Sequence, residues 1–292
     1  MPVVKKERGG KRSGPADASP ATNSRSHSPI SLPEKANVPP TSLTDYILFI
    51  YGEKGIGKTS LLAQFPNSLI FMFEPFRRNL AIKQIPNFTC KEPPITWDRF
   101  LAYADKLVNL PAAKRPTIIT IDTIDRAYDL LCANLCDEFG YADVRGLKWG
   151  DWDVVDSRLE QVFSLFKDAG IGIAVTSHSK KRELEVETES GDMSYTMTAP
   201  TVKPRCWKFL KMIGDFSIYY GYNGRQRTLT IRGHERLWTS CARSDKFLDP
   251  SGNPLYEIPA GNSPQEAYKN LMLAWQGRLA GIDRESTEED TK

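Results

Sequence analysis

The sequence Gly52-Glu53-Lys54-Gly55-Ile56-Gly57-Lys58-Thr59 fits the pattern G-x-x-x-x-G-K-[ST], which is typical of a phosphate-binding loop. The apolar run 46–51 precedes it and predicts a buried strand, and the run 60–65 follows it and predicts a helix that ends before Pro66. A strand, a glycine-rich turn and a helix N-terminus are the context that this pattern requires. We therefore interpret the stretch as a P-loop rather than as a chance glycine-rich turn.

The residue types of the loop predict how it would hold a nucleoside triphosphate. The three glycines allow the backbone to curl with its N–H groups directed inward. We expect Lys58 to contact the β- and γ-phosphates as a catalytic and binding group, and the Thr59 hydroxyl to bind Mg²⁺. The predicted nucleotide-binding residues of the loop are Gly52, Glu53, Lys54, Gly55, Ile56, Gly57, Lys58, Thr59 and Ser60. The sequence shows no guanine-specifying N-K-x-D element, so we expect ATP.

Length and composition limit the classes of protein to which the chain can belong. The 292 residues suit one α/β domain with tails, and no run of about 18 apolar residues predicts a membrane span. No apolar region of a secretion signal follows the basic start, and the five cysteines form no C-x-x-C pair. These features favour reduced thiols and a cytoplasmic location, with no membrane partner.

Residues 1–44 predict a disordered basic tail, because they are rich in Pro, Ser, Ala, Lys and Arg and nearly lack aromatic residues. The tail carries a net charge of +4, which leaves −1 of the total of +3 for the rest of the chain. A basic arm can hold nucleic acid through phosphate contacts, but a solvated linker has the same composition.

Two apolar runs end in carboxylates that we expect at the ligand edge of a parallel sheet, where the carboxyl ends of the strands meet. The run 68–73 leads into Glu74, which could act as the general base that polarises an attacking water, or simply be exposed. The run 117–121 leads into Asp122 in a Walker B pattern, and we expect Asp122 to hold Mg²⁺ together with Thr59 rather than only to cap the next helix. Asp125, one turn further, is expected on the surface of that helix.

A third apolar run, 171–176, ends in Ser177 and His178. A polar side chain at this strand tip is placed to sense the γ-phosphate of a bound nucleotide and to pass that information to the following segment. The alternative is a histidine with only a structural role.

Two polar stretches are candidate nucleic-acid contacts. The stretch 140–152 predicts a loop in which Arg145 and Lys148 alternate with aromatic residues such as Trp149, and single-stranded DNA needs both charge and stacking faces. The alternative is that Trp149 and Trp152 pack as a hydrophobic staple of the next helix, with Asp151 as its cap. The stretch 179–202 begins with Lys180, Lys181 and Arg182 and predicts a mobile loop or a β-hairpin that turns at residues 190–191.

The C-terminal part predicts a helix at 203–213, a hairpin of strands 216–222 and 228–232, and a last helix that a capping box opens at Ser263. Between them, Arg243 and Lys246 are candidates for a finger that reaches the nucleotide of a neighbouring subunit.

This order of elements resembles the RecA-like ATPase core, and more closely the phage nucleotide-binding proteins of the AAA-family ATPase type, some of which are RecA-core single-strand annealing proteins. The resemblance spans roughly residues 44–280. The residues that carry it are Gly52 to Thr59, Phe73-Glu74, Thr120-Ile121-Asp122-Thr123, Trp149-Gly150-Asp151-Trp152, Thr176-Ser177-His178 and the stretch 247–255.

The resemblance implies an α/β fold with a RecA-like P-loop NTPase core, in which a mainly parallel central sheet is flanked by helices and followed by a C-terminal antiparallel hairpin and a final helix. It divides the chain into the basic tail 1–44, an ATPase domain 45–281 and an acidic flexible tail 282–292. In that family the glutamate after the second strand is the hydrolytic base, the polar strand tip is the sensor, and the two loops bind DNA.

The function implied is Mg²⁺-dependent, DNA-stimulated ATP hydrolysis that acts on single-stranded DNA in phage-type recombination or annealing, in the host cytoplasm. A homo-oligomer, either a ring or a filament, and a single-strand-binding protein are the implied partners. Alternatives are a replication or packaging motor, a helicase-loader ATPase and a module that binds nucleotide without hydrolysis. A nucleotide kinase would need an arginine-rich lid, for which Arg182 is the only candidate between the strand that ends in His178 and Pro204.

Overall fold

The computed structural model describes residues 34–74, 80–87, 89–188, 191–233 and 236–280. Most of the predicted basic tail and all of the predicted acidic tail 282–292 lie outside these residues. The described helices and strands belong to one compact unit that begins at Pro40. Leu43 lies in a short 3-10 helix, Leu43–Asp45, and is fully buried, so this unit starts a few residues before the predicted boundary at residue 45.

The described residues form six α-helices and ten strands. The helices are α1 Lys58–Leu62, α2 Trp97–Val108, α3 Ile124–Phe139, α4 Trp149–Asp168, α5 Pro204–Ile213 and α6 Pro264–Trp275. The strands are β1 Ile47–Gly52, β2 Ser68–Met72, β3 Gln84–Ile85, β4 Ile118–Asp122, β5 Gly172–Thr188, β6 Gly191–Pro200, β7 Phe216–Asn223, β8 Gln226–Thr230, β9 Ser240–Cys241 and β10 Glu257–Pro259. None of the helices in the described part has the length and apolar character to cross a membrane.

The strands follow the order β10-β8-β7-β1-β5-β4-β2-β3 in one sheet. The six from β7 to β3 are parallel, and β8 and β10 add an antiparallel edge. The predicted α/β class, with a mainly parallel sheet and a C-terminal antiparallel hairpin, is therefore confirmed. Because the parallel strands point the same way, the carboxyl ends of β1, β2 and β4 lie at one edge of the sheet. Strand β5 leaves the sheet at the same edge.

Helices cover both faces of the sheet. Alternate residues of β1 point to opposite faces, so Phe49 packs in the layer that holds α2, α3, α4 and α5, whereas Leu48 and Ile50 pack against α1 and α6. All six residues of β1 are buried, as its continuous apolar sequence predicts for a central parallel strand.

Two predicted loops have regular structure. Helix α4 begins at Trp149, earlier than predicted, because the Asp151 carboxylate accepts the backbone N–H of Lys148 at 2.7 Å and caps the first turn. The prediction of a loop through residue 152 is therefore wrong at its C-terminal end. The polar stretch after His178 is the β-hairpin alternative: β5 continues out of the central sheet and pairs with β6 as a two-stranded ribbon.

A capping box fixes the start of α6. Ser263 accepts the backbone N–H of Glu266 at 3.1 Å and the Glu266 carboxylate accepts the N–H of Ser263, which confirms the predicted start of the last helix. This helix ends at Trp275, five residues before the predicted end near 280, and α1 ends at Leu62 rather than at residue 65.

Gly52→Ala tests the closest approach in the sheet. A Cβ at Gly52 would lie 2.0 Å from the carbonyl oxygen of Tyr220 in β7, so we expect the variant to push β1 and β7 apart and to lose about 1–3 kcal/mol of unfolding free energy. Urea unfolding measures this loss. Gly150→Ala is the matched control, because nothing lies within 4 Å of its added carbon and alanine favours a helix over glycine by up to about 1 kcal/mol. Equal stability of the Gly52 variant and the natural protein would contradict this explanation.

Candidate nucleotide-binding site

The glycine loop between β1 and α1 has the backbone shape that its sequence predicts, with one difference. Gly55 and Gly57 have φ angles of 87° and 117°, a region that side chains with a Cβ rarely adopt, and Gly57 caps the N-terminus of α1. Gly52 has no such angle and is constrained instead by the neighbouring strand β7. Lys58 is buried, and its Nζ donates to the carbonyl oxygens of Gly52 and Glu53 at 2.8 and 2.9 Å.

Asp122 lies at the centre of the site. It ends β4, is only 1% exposed, and accepts the hydroxyl of Thr59 at 2.5 Å and that of Thr176 at 2.6 Å, one on each carboxylate oxygen. Strand β5 lies between β1 and β4, and Thr176 reaches Asp122 from it. The two predicted metal-binding groups, Thr59 and Asp122, are thus in direct contact.

These oxygen atoms fit Mg²⁺, which prefers hard oxygen ligands and takes most of them from substrate phosphates and water. The described residues contain no cluster of three or more His, Cys, Asp or Glu side chains that could hold a metal ion without such outside ligands. A site made of one hydroxyl and one carboxylate beside a phosphate-binding loop therefore suits Mg²⁺ bound together with a nucleotide.

Glu74 and His178 form a second pair beside Asp122. The backbone N–H groups of Phe73 and Glu74 donate to the carbonyl oxygen of Asp122 at 2.8 and 3.4 Å, which fixes Glu74 just past the end of β2. His178, the register partner of Gly52, lies with its Nε2 2.5 Å from the Glu74 carboxylate. A carboxylate accepts the proton of an imidazole nitrogen that faces it, so this hydrogen bond orients Glu74. The sequence predicted both residues near the site but not their contact.

Asp125 is not on the helix surface as expected. It faces a cavity of about 380 Å³ that the side chains of Glu74 and His178 also line. Its carboxylate accepts the hydroxyl of Thr201 at 2.7 Å, and burial raises its pKa although this bond and one from Ser177 oppose the shift. The first turn of α3 points inward because it follows directly on the buried end of β4. The lining residues are Lys54, Glu74, Thr123, Asp125, Arg126, Asp129, His178 and Thr201.

Thr176 and Thr201 are site residues that the sequence reasoning gave no role. Thr176 carried a signal, because a hydroxyl residue interrupts the apolar strand just before Ser177 and His178. Thr201 carried none, because it reaches Asp125 and the carbonyl oxygen of His178 only through the pairing of β5 with β6.

The candidate DNA contacts lie in two places. Arg145 is exposed and forms an ion pair with Asp143 at 2.6 Å, and Trp149 is 84% exposed at the first turn of α4. Trp152 instead packs against the core, as the packing alternative predicts for it, whereas Trp149 does not. Lys148 precedes this turn.

The second candidate surface is on β5. Lys180, Lys181 and Arg182 lie where the ribbon leaves the sheet, and both lysines are exposed.

Arg243 and Lys246 lie near the start of β1, at the opposite end of this strand from the P-loop. Arg243 binds the Asp245 carboxylate and the hydroxyl of Tyr46, the residue just before β1, and Lys246 lies 4.9 Å from the ring centre of Trp275. To reach the nucleotide of a neighbouring subunit, Arg243 would have to give up these contacts within its own chain. The finger role stays a prediction.

The site combines a parallel sheet, a glycine loop, a buried Thr–Asp pair and a carboxylate at the end of the neighbouring strand. This combination defines a P-loop nucleotide-binding protein. The model of a family described as AAA domain matches residues 44–239, about two thirds of the chain. The chain therefore belongs to the AAA domain family of P-loop ATPases. No curated protein matches it. The matched span includes every residue of the site from Gly52 to Thr201, whereas β9, β10 and α6 lie beyond it.

Asp125→Asn should raise the unfolding free energy at neutral pH. Because the pKa of Asp125 is raised in the folded state, ionising it opposes folding. This cost is absent below the unfolded-state pKa of about 3.9 and is fully present above the folded-state pKa. We expect the stability gain of the variant to be greater at pH 7.5 than at pH 4.5, as urea unfolding at both pH values measures.

Asp129→Asn is the control for that experiment. Asp129 pairs with Lys203 at 2.6 Å at a partly exposed position, so its variant should give no gain at pH 7.5. A gain for Asp125→Asn that is the same at both pH values would refute the role of its ionisation.

Proposed function

We propose that the protein hydrolyses ATP with Mg²⁺ and couples this reaction to single-stranded DNA, as in phage-type recombination or annealing. The contact between Thr59 and Asp122 carries the first part of the proposal. A hydroxyl at the start of the P-loop helix and a buried carboxylate two strands away meet at 2.5 Å, where a nucleotide-bound ion needs both.

Thr59 and Asp122 would hold the ion. When bound, Mg²⁺ supplies positive charge that offsets the negative charge of the β- and γ-phosphates. Asp122 contributes a carboxylate that Thr176 keeps oriented through the second oxygen. Thr176 is fully buried, so this orientation is shielded from competing water.

The remaining chemistry belongs to Lys58, Glu74 and His178. Lys58 offers its ammonium group to the terminal phosphates, and the inward N–H groups of the loop accompany it. Glu74 accepts the proton of the attacking water as a general base. The oxygen of that water forms a bond to the γ-phosphorus as the bond between the γ-phosphorus and the bridging oxygen breaks, so that ADP and phosphate leave and the water proton stays on Glu74. His178 holds the Glu74 carboxylate and thereby controls when it faces the water.

Lys58→Ala and Glu74→Gln separate binding from turnover. We expect Lys58→Ala to weaken ATP binding at least about tenfold, since charge-assisted hydrogen bonds contribute roughly 1.5–3 kcal/mol. Glu74→Gln should keep ATP affinity and lower turnover by about 10²–10⁴-fold, because it removes only the general base. Calorimetric binding and steady-state phosphate release measure the two effects. Full turnover in Glu74→Gln would exclude Glu74 as the base.

The DNA part of the proposal rests on the distribution of charge along the ribbon. Its base carries Lys180, Lys181 and Arg182, whereas the sequence 183–192 that comes next contains five acidic residues and no basic one. Like charges would repel DNA phosphates from the outer ribbon. We therefore assign DNA to the base of the ribbon and to the turn of Arg145, Lys148 and Trp149, and not to the ribbon tip.

DNA-stimulated ATP hydrolysis tests this assignment. We expect single-stranded DNA to stimulate phosphate release, and Trp149→Ala to weaken DNA binding by about 1–3 kcal/mol if one base stacks on the indole. The double variant Lys180→Ala, Lys181→Ala should lower the salt dependence of binding by about 0.7 in log–log slope for each phosphate contact that it removes.

Lys106→Ala, an exposed charge in the last turn of α2, is the control for loss of charge alone and should change neither property. A rate of ATP hydrolysis that does not change when single-stranded DNA is added would contradict the coupling. It would favour a nucleotide kinase or a protein-activated switch.

A further inference from the structure

The catalytic and metal-binding groups of the candidate site all serve the phosphate end of a nucleotide. Glu74 follows β2, Asp122 ends β4, and His178 lies in β5 where its pairing with β1 ends; these three strands lie on one side of β1. On the other side β1 pairs with β7, with Gly52 opposite Tyr220. A triphosphate whose terminal end lies toward Asp122 therefore directs its nucleoside end toward β7 and β8.

Strand β7 carries an exposed aromatic ring in that direction. Phe216, Ile218 and Tyr220 face the layer of α1, and a Cβ at Gly57 would lie 3.4 Å from the Tyr220 hydroxyl. Tyr222 is two residues further along the strand, so it shares the face of Tyr220 and lies past the end of β1. It is 58% exposed, whereas Tyr220 is 1% exposed.

A cation accompanies this ring. Arg227 of β8 is the direct cross-strand partner of Tyr222, so both residues share one face of the hairpin. Arg227 is close enough to Tyr220 for its charge to act on that hydroxyl. The face next to the P-loop thus presents an aromatic platform and a guanidinium, which suit the flat ring of a nucleobase and an adjacent phosphate.

We propose that Tyr222 is the stacking platform for the base of the bound nucleotide, with Arg227 beside it as a positive neighbour. The ligand class is a purine nucleoside triphosphate. The inference rests on the proposed function, because it needs the P-loop to hold the phosphates. It adds a binding residue on the side of β1 opposite to the catalytic groups.

Comparison of ATP with inorganic tripolyphosphate tests the proposal, since only ATP carries a base. In the full-length protein with Mg²⁺, we expect Tyr222→Ala to weaken ATP binding about 5- to 100-fold, the range for one stacked base, and to leave tripolyphosphate binding unchanged. Tyr222→Phe keeps the ring and should restore ATP affinity. Tyr256→Ala, at an exposed tyrosine just before β10, is the matched control and should change neither ligand.

The outcomes distinguish this inference from the function on which it rests. ATP affinity within twofold of the natural value in Tyr222→Ala would overturn the platform while the nucleotide site stands. Equal weakening of ATP and tripolyphosphate would also overturn it, because the ring would then act on the loop. A natural protein that binds neither ligand would overturn the proposed nucleotide site, and the platform with it.

Discussion

The buried carboxylate of Asp122 is the interaction on which the site depends. A charge that is almost fully removed from water is tolerated only where hydrogen bonds offset its desolvation, and here Thr59 and Thr176 each donate to one oxygen. These two bonds join the P-loop helix, β5 and β4 at a single point. The backbone carbonyl of the same residue also holds the N–H groups that fix Glu74. One residue therefore connects the P-loop helix, β5 and the residue that follows β2.

These contacts follow from the strand order. Strand β5 lies between β1 and β4, yet the Thr59 hydroxyl reaches Asp122 directly, and Thr176 of the intervening strand donates to the second carboxylate oxygen. The same order brings His178 level with Gly52, so the residue that holds Glu74 lies beside the loop. In the proposed mechanism, the groups along this edge of the sheet would serve different steps, from water activation at β2 and β5 to phosphate binding at β1, and β7 would receive the base.

Local patterns in the sequence predicted the parts of the fold and site that depend on neighbours along the chain. The glycines of the loop, the apolar β1 and the capping box at Ser263 are of this kind. The partial burial of Asp125 was not predicted, because it depends on the cavity that forms at the strand ends and on contacts such as that with Thr201, 76 residues away in the chain. The start of α4 was missed because Trp149 and Gly150 look like loop residues until Asp151 caps the turn. Composition indicated the charge of the ribbon, and its sequence pattern offered the hairpin as one of two alternatives, but neither indicated that its first strand continues β5 of the central sheet.

The ribbon and the candidate site share one continuous strand, β5. Strand β5 runs without interruption from Thr176 through His178 into the ribbon, so the residue that holds Glu74 is also the last residue of the parallel pairing with β1. Thr201, just past the returning strand β6, donates its N–H to the carbonyl oxygen of His178 and its hydroxyl to Asp125. A displacement of the ribbon base must therefore strain these bonds or move His178. Ligand contact at Lys180 and Lys181 would reach Glu74 by this route, and no separate signalling element is needed.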